Sequence, residues 1–315
     1  MPKLERADPQ ADRVAIIGAG HVGSTAAFAL MLRALFREIV LIDHSPERGA
    51  AEAADLSDAN ALARPAKIWA GTYADTASAQ IAVITAGAVT HDDESRLSVA
   101  SKSAEIVRTC VTELMSAGFN GVLLVASNPV DLMALVAFEQ SGLPAERVIG
   151  TGTLLDSNRL QQRLACELDV APAAVDGMVL GEHGDTEVAA FSGVRIGGMT
   201  LDAFAPEIAA KHDDIAMDVR KAAYAIIDGK GHTSFGIATA IVRICEAVLR
   251  DEHAILPVSA LLTGEFGIAN IYLSLPCILG AGGVRRVLQP DLNSDEIAQL
   301  RASAATLQEA RLKLA

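Results

Sequence analysis

The chain has 315 residues, of which 51% are hydrophobic, and it carries a formal net charge of −13 at pH 7. This length favours two domains with buried cores, and the acidic balance offers no basic surface for nucleic acid or for a membrane. The polar first residues lack the apolar core of a signal peptide, and no apolar run is long enough to span a bilayer. We therefore expect a cytoplasmic protein.

The cysteines lie far apart in the sequence, and none is in CxxC spacing; they are Cys110, Cys166, Cys245 and Cys277. Reduced, buried thiols are the expectation for such a pattern, rather than disulfides or a zinc site. We predict no bound metal.

Short apolar runs alternate with helical patterns in the first half of the chain. We predict strands at 14–18, 38–43, 81–85, 122–126 and 147–150, and helices at 22–35, from 45, at 97–115 and at 131–140. Strands that alternate with helices indicate a doubly wound parallel sheet with right-handed crossovers. The sequence therefore predicts an α/β domain over residues 1–150.

The pattern changes after residue 150. We predict hairpin-like strands within 188–201, helices at 206–227 and 235–250, antiparallel strands at 255–262 and 268–275, and a final helix from 293. Asn293 and Glu296 are spaced to form a capping box at the start of that last helix. This half, residues 151–315, reads as a mixed α+β domain.

A glycine motif follows the first predicted strand. Gly18, Gly20 and Gly23 form a GxGxxG sequence between a strand and a helix, and Asp43 ends the next strand 20 residues later. In this context the glycines allow a tight turn and a close approach of a pyrophosphate to the helix N-terminus. A carboxylate at Asp43 accepts hydrogen bonds from a ribose and repels a 2′-phosphate. We therefore favour a Rossmann fold that binds NAD over a purely structural turn.

Candidate acid–base residues lie in the second half. His183 is closely flanked by glycines in Gly181-Glu-His-Gly184, and an imidazole exchanges protons near neutrality. Asp156 and Arg159 share one face of a predicted helix, where they are either functional or a local surface ion pair. Asn128 and Arg96 follow two of the predicted parallel strands, and ligands bind at the carboxyl ends of such strands.

These segments resemble the L-lactate/malate dehydrogenase family in order and spacing over nearly the whole chain. The resembling segments are GAGHVG with Asp43, TAGAVTHDDESRLSV, ASNPVD, GTGTLLDSNRL, GEHGDTE and GKGHTSFGIA. GEHGDTE with an upstream LDSNR is highly specific. The resemblance implies a Rossmann domain followed by a mixed α+β catalytic domain, and a homo-oligomer, with a tetramer favoured over a dimer.

The resemblance also implies roles for single residues. His183 would exchange a proton with the 2-oxo oxygen, Asp156 would orient it, and Arg159 would hold the substrate carboxylate through a bidentate fork. Arg96, on a mobile loop, would polarise the carbonyl, and Asn128 would hydrogen-bond the reacting centre.

Further contacts follow from the same resemblance. Thr233 would line the substrate pocket and Ile237 would pack near the nicotinamide, while a cis Asn128–Pro129 peptide would present the asparagine. The cofactor contacts would be Gly18, Gly20, His21, Val22, Gly23, Asp43, Thr85, Ala86, Gly87 and Asn128.

The chain departs from the family pattern at positions that affect substrate and regulation. Thr90 stands where lactate enzymes usually carry Gln and malate enzymes Arg, and an unpaired second carboxylate of malate would be costly there. The shorter Thr90 also predicts room for 2-oxo acids longer than pyruvate. Gln161 and Asp176 replace an Arg and a His that hold fructose 1,6-bisphosphate in many bacterial lactate dehydrogenases, so we expect no activation by that sugar phosphate.

The leading hypothesis is an NAD-dependent L-lactate dehydrogenase acting on a small 2-oxo or 2-hydroxy acid, with room for a broader L-2-hydroxy-acid specificity. The nearest alternative is a lactate-dehydrogenase-like malate dehydrogenase. A cofactor-binding protein without activity is the alternative from another class.

Overall fold

The computed structural model describes residues 12–88 and 96–314, with side chains in the second range from residue 99. The first half contains β1 (Arg13–Ile17), α1 (His21–Arg33), β2 (Glu38–Ile42), α2 (Pro46–Asn60), β3 (Lys67–Ala70), β4 (Ile81–Ile84), α3 (Arg96–Ser116), β5 (Val122–Val125), α4 (Val130–Ser141) and β6 (Val148–Gly150). The second half contains α5 (Leu154–Leu168), β7 (Val175–Asp176), β8 (Val179–Leu180), β9 (Val188–Ala189), β10 (Arg195–Ile196), β11 (Met199–Thr200), α6 (Leu201–Phe204), α7 (His212–Lys230), α8 (Phe235–Leu249), β12 (Ala254–Thr263), β13 (Ala269–Gly280), β14 (Gly283–Val287) and α9 (Ser294–Leu312).

Six parallel strands form the first half of the main sheet. Their order is β3-β2-β1-β4-β5-β6, and the strand order reverses between β1 and β4. Strands β4 and β5 are buried along their whole length because helices cover both faces of the sheet. This topology confirms the predicted Rossmann fold and places the switch point, where ligands bind, at the ends of β1 and β4.

The second half extends the same sheet with β12, β13 and β14, and it also forms two small separate sheets, β11-β10-β7 and β8-β9. Ser259 of β12 pairs antiparallel with Gly150 of β6, and β13 and β14 follow as an antiparallel extension. The antiparallel pair β12–β13 and the mixed character of this half were predicted. The strands β3 and β14 were not, because both lie at edges of the sheet and alternate little between buried and exposed residues.

Helix boundaries in the second half correct one prediction. The helix expected at 206–227 is a 3₁₀ helix over 206–211 followed by α7. Asp213 and Asp214 favour a helix start at His212 because acidic groups stabilise the positive end of the helix dipole. Gly231, at a φ of +83°, ends α7 in the left-handed conformation.

The predicted hairpin region is also more fragmented than expected. Gly197 and Gly198, both with positive φ, form the turn between β10 and β11. Gly193 ends a 3₁₀ helix between β9 and β10, and these two strands pair with other strands rather than with each other. Asn293 and Glu296 form the predicted capping box at the start of α9.

Helices pack on both faces of the sheet. Buried side chains of α1, α2 and α8 share one core, and those of α3, α4 and α9 share the other. The four cysteines are free thiols, and only Cys166 is exposed among them. Within the described residues, no helix combines the length and apolar character needed to cross a membrane.

Candidate active site

The glycine motif joins β1 to α1 through close backbone contacts. Gly18 has a φ of +104°, and a Cβ on it would lie 2.6 Å from the backbone nitrogen of Ala86. A Cβ on Gly23 would lie 1.9 Å from the carbonyl oxygen of Gly18. Gly20 differs, because a Cβ there would meet nothing within 4 Å. Two glycines are therefore required by packing, and Gly20 faces open space at the N-terminus of α1.

The start of α1 carries the groups that a pyrophosphate needs. No side chain caps the helix and no acidic residue lies in its first turn, so its first N–H groups remain available to an anion. The open space beside Gly20 lies at this same helix end. These features fit a dinucleotide.

Asp43 ties the end of β2 to the glycine motif. Its carboxylate accepts hydrogen bonds from the backbone nitrogen of Ala19 at 2.7 Å and from that of Ser45 at 2.9 Å. The side chain is almost fully buried. The oxygen that accepts from Ala19 keeps a further lone pair, which can accept from a ribose hydroxyl, whereas the other oxygen also lies 3.1 Å from Nδ1 of His44. Asp43 thus supports the loop as well as fitting the predicted ribose contact.

The segment after β4 closes the other side of this site. The hydroxyl of Thr85 donates to the carbonyl oxygen of Gly18 at 2.7 Å, and Ala86 donates its N–H to Ile17. Ser127, which sequence reasoning missed, donates its hydroxyl to the carbonyl of Ala86. The structure therefore brings the predicted cofactor residues of both strand ends together.

An imidazole, a carboxylate and a guanidinium lie in line in the second half. Nδ1 of His183 lies 2.5 Å from one carboxylate oxygen of Asp156, and a guanidinium nitrogen of Arg159 donates to the other at 2.8 Å. Asp156 is buried, whereas the His183 side chain is 23% exposed. Asp156 and Arg159 therefore do not form a surface ion pair. Because Nδ1 of His183 faces Asp156, Nε2 is the nitrogen that can contact a ligand.

Burial and charge act in opposite directions on this pair. Burial alone would lower the pKa of His183, but the Asp156 charge and hydrogen bond raise it to about 9. Burial would raise the pKa of Asp156, yet His183 and Arg159 outweigh it and lower that pKa. The cluster thus favours a protonated imidazole beside an ionised carboxylate.

Asp131 is a further member of the cluster that sequence reasoning did not assign. Its carboxylate accepts from the backbone nitrogen of His183 at 2.9 Å and from the hydroxyl of Ser259 at 2.5 Å. Full burial raises its pKa to about 6, although both hydrogen bonds oppose this. Asp131 lies in the first turn of α4, directly after the Asn128–Pro129 peptide, which is cis as predicted. Its place in the ASNPVD segment was the available signal.

The last helix holds the loop that carries His183. The buried hydroxyl of Ser303 in α9 accepts from the backbone nitrogen of Glu182 at 2.9 Å and hydrogen-bonds the hydroxyl of Thr186. Thr186 in turn donates to the Glu182 carboxylate. No sequence signal links residues 121 positions apart, so this anchor was missed.

Glu187 adds a third buried carboxyl near the imidazole, after Asp156 and Asp131. Burial, and then the charge of Asp156, raise the pKa of Glu187 to about 8, while His183 and Arg220 lower it. Its backbone carbonyl accepts from the guanidinium of Arg220 on α7. Sequence reasoning quoted Glu187 within GEHGDTE without giving it a role.

The remaining predicted residues divide into two groups. Thr233 and Ile237 flank the start of α8, which packs on α5 so closely that a Cβ on Gly236 would lie 2.8 Å from Leu155. This brings them to the side of the fold that holds Asp156. Thr90 and the side chain of Arg96 lie outside the described residues.

The two positions compared with the sugar-phosphate site carry ordinary structural contacts. The amide of Gln161 donates to the carbonyl of Gly177 at 3.0 Å, and Asp176 is the backbone register partner of Arg195 between β7 and β10. Neither Gln161 nor Asp176 is itself a cation that could hold a phosphate.

Comparison with known proteins places both halves of the chain. The family described as lactate/malate dehydrogenase, NAD binding domain, matches residues 12–150. The family described as lactate/malate dehydrogenase, alpha/beta C-terminal domain, matches residues 153–314.

Individual relatives are similar along nearly the whole length. The L-lactate dehydrogenase of Priestia megaterium is 42% identical over 307 residues, which is 96% of each chain. That of Pediococcus pentosaceus is 40% identical over 300 residues, or 94% of each.

Solved structures agree with these matches. The minor L-lactate dehydrogenase of Enterococcus mundtii in its ligand-bound form superposes with a TM-score of 0.93 at 38% identity, covering 96% of this chain and 98% of that one. A lactate dehydrogenase from a Medee basin deep-sea metagenome gives 0.94 at 37%, covering 97% and 99%.

Proposed function

The chain belongs to the lactate/malate dehydrogenase family of NAD-dependent oxidoreductases, and on that basis we propose that it is an L-lactate dehydrogenase, which interconverts pyruvate and L-lactate. The observation that carries this proposal is the line of Arg159, Asp156 and His183, joined at 2.8 and 2.5 Å. It sets a carboxylate-binding cation beside a proton donor, which are the two groups that a 2-oxo acid requires.

The acid–base step follows from which nitrogen is engaged. Because Nδ1 of His183 faces Asp156, Nε2 donates the proton to the 2-oxo oxygen of pyruvate. NADH supplies the hydride when it is bound. Asp156 stabilises the imidazolium before transfer, and Asp131 fixes the backbone of His183. In the reverse direction the neutral imidazole accepts the hydroxyl proton of lactate.

We assign substrate binding to two arginines and to residues at the start of α8. Arg159 holds the pyruvate carboxylate with the donors that do not face Asp156. Arg96 polarises the carbonyl, Asn128 hydrogen-bonds the reacting centre, and Thr233 and Ile237 shape the pocket. These roles rest on the resemblance and on the placement of α5 and α8.

Substrate choice depends on the sequence around Thr90. Residues 89–91 supply no fixed cation, and three acidic residues follow at 92–94. A malate carboxylate would therefore lie unpaired, so lactate is favoured over malate. The short Thr90 leaves room for 2-oxo acids somewhat longer than pyruvate.

The wider assignment follows the relatives. We propose a division into an NAD-binding domain over residues 1–150 and a catalytic domain over residues 151–315, and a cytoplasmic homo-oligomer with a tetramer favoured. The support is the full-length similarity to L-lactate dehydrogenases.

A side-by-side assay tests the proposal. NADH oxidation is measured with pyruvate, oxaloacetate and 2-oxobutyrate, and kcat/KM is expected to be higher for pyruvate than for oxaloacetate. A preference for oxaloacetate would support the malate alternative, and no turnover of any 2-oxo acid would support a binding protein.

The variant Thr90→Arg sharpens this test. The new guanidinium pairs with the second carboxylate of oxaloacetate, and it is desolvated without a partner beside the methyl group of pyruvate. The ratio of kcat/KM for oxaloacetate over pyruvate should rise. An unchanged ratio would show that residue 90 does not face the substrate.

A further inference from the structure

Two histidine rings stack where the cofactor domain meets the second half. The rings of His21 and His232 are 3.9 Å apart between centroids and 10° from parallel. His21 is the first residue of α1, directly after Gly20, and His232 precedes Thr233 in the segment between α7 and α8. The stack therefore joins the glycine motif to a segment that carries a predicted substrate residue.

The N-termini of α1 and α8, which carry the positive ends of the helix dipoles, both lie near this stack. Helices α1 and α8 pack side by side, and neither has a side-chain cap or an acidic residue in its first turn. Lys230, the last residue of α7, lies with its ammonium 3.8 Å from the ring centroid of Phe235 and near the hydroxyl of Ser234. The surroundings of the stack are thus suited to an anion.

Burial and two neighbouring groups favour the neutral form of His232. Partial burial, then His21, then Lys230 lower the pKa of His232. Within the part of the chain that the structure describes, the charged or titratable groups that act on His232 are His21 from α1 and Lys230 from α7, and neither is a carboxylate. A phosphate brought to this place would reverse the balance, because an opposite charge favours the imidazolium.

We propose that His232, stacked on His21, is a cofactor-binding residue that takes up a proton from solvent when the pyrophosphate of NAD binds. The pyrophosphate belongs at the N-terminus of α1, and the stack holds the His232 ring beside the first residue of that helix. Dinucleotide binding thereby also fixes the segment that carries Thr233. The inference rests on the NAD site of the proposed function, but it is independent of which 2-oxo acid is reduced.

The probe for this proposal is ADP-ribose, which contains the pyrophosphate but lacks the nicotinamide. Because the nicotinamide is absent, no reacting atom of the ligand contacts His183, and we expect no proton uptake at His183 when ADP-ribose binds. Calorimetric titrations in two buffers of different ionisation enthalpy measure proton uptake, and the Kd is followed from about pH 5.5 to about pH 8.5. The matched control is His253→Asn, since His253 pairs at the surface with Asp251 and Arg285.

The sign of the pH effect follows from linkage. The affinity for ADP-ribose is highest at a pH below the pKa of His232 in the free enzyme. As the pH rises from that pKa to the higher pKa of His232 in the complex, the affinity falls, and above the higher pKa it is constant. A pKa difference of about one unit gives an ADP-ribose Kd about tenfold weaker at the upper end of the range. The variant His232→Asn should bind with no pH dependence and no proton uptake, and His253→Asn should behave as the wild type.

Three results would overturn the proposal. They are a wild-type Kd that does not change with pH, proton uptake that survives in His232→Asn, and uptake that is lost equally in His253→Asn. If His232→Asn does not fold, imidazole NMR titration of the wild type decides the matter, because the His232 pKa must rise on adding ADP-ribose. Failure of ADP-ribose to bind at all would instead contradict the NAD site itself. A separate assay of pyruvate reduction tests the proposed function.

Discussion

The cofactor region and the acid–base region of this enzyme are built from different kinds of group. The cofactor region, residues 18–23, 43 and 85–87, is held by hydrogen bonds to the backbone and by close packing at Gly18 and Gly23, which leaves no room for a Cβ. The acid–base region, Asp131, Asp156, Arg159 and His183, is held by buried charged side chains. Substitutions in the cofactor region should therefore alter packing and the affinity for the cofactor. Substitutions in the acid–base region should alter the charge balance and the rate of proton transfer.

The largest expected effect comes from removing the imidazole. His183→Asn should lower kcat for pyruvate reduction by about a hundred- to ten-thousand-fold, because a positioned acid–base group is lost. The NADH Kd should change little, since the cofactor region lies elsewhere. Steady-state kinetics and NADH fluorescence titration measure the two quantities, and turnover near the wild-type level would remove His183 from the mechanism.

The pH profile probes the charge balance of the acid–base region directly. Because Asp156 raises the pKa of His183 to about 9, pyruvate reduction should be flat below that pH. It should then fall about tenfold per pH unit as the imidazole loses its proton. In Asp156→Asn the descending limb should move to lower pH. A limb that stays in place would show that Asp156 does not set the proton affinity.

A glycine change tests the cofactor region by space alone. Gly20→Ala adds a methyl group to open space at a negative φ, so the melting temperature should be unchanged. The NADH Kd should weaken about tenfold, comparable to the loss of one hydrogen bond to a charged group. Gly23→Ala is the matched contrast and should destabilise the fold. Equal NADH affinity in Gly20→Ala and wild type would mean that the cofactor does not approach this position.

The two regions also differ in how far the sequence predicts them. The glycine motif and Asp43 of the cofactor region lie within one strand–helix–strand unit, so they carry a local pattern with a known structural context. His183, Asp156 and Arg159 stood out by residue type, glycine context and helix spacing, and their roles came from the resemblance. Nothing local indicates that Asp131 holds the backbone of His183, 52 residues away.

Other misses have the same physical origin. Ser259 and Ser303 reach the site from β12 and α9, and a serine in a strand or helix gives no sign of a buried partner. The strands β3 and β14 were missed because edge strands are short and only partly buried. The doubly wound parallel sheet was predicted because alternation of strands and helices permits few topologies.

Oxidation of the two lactate enantiomers tests the central claim most directly. Purified enzyme is incubated with NAD and either L-lactate or D-lactate, and NADH formation is followed by absorbance, with His183→Asn in parallel. We expect rapid NADH formation with L-lactate, almost none with D-lactate, and almost none with L-lactate in the variant. NADH formation from D-lactate at a comparable rate, or none from L-lactate by the wild type, would contradict the assignment as an NAD-dependent L-lactate dehydrogenase.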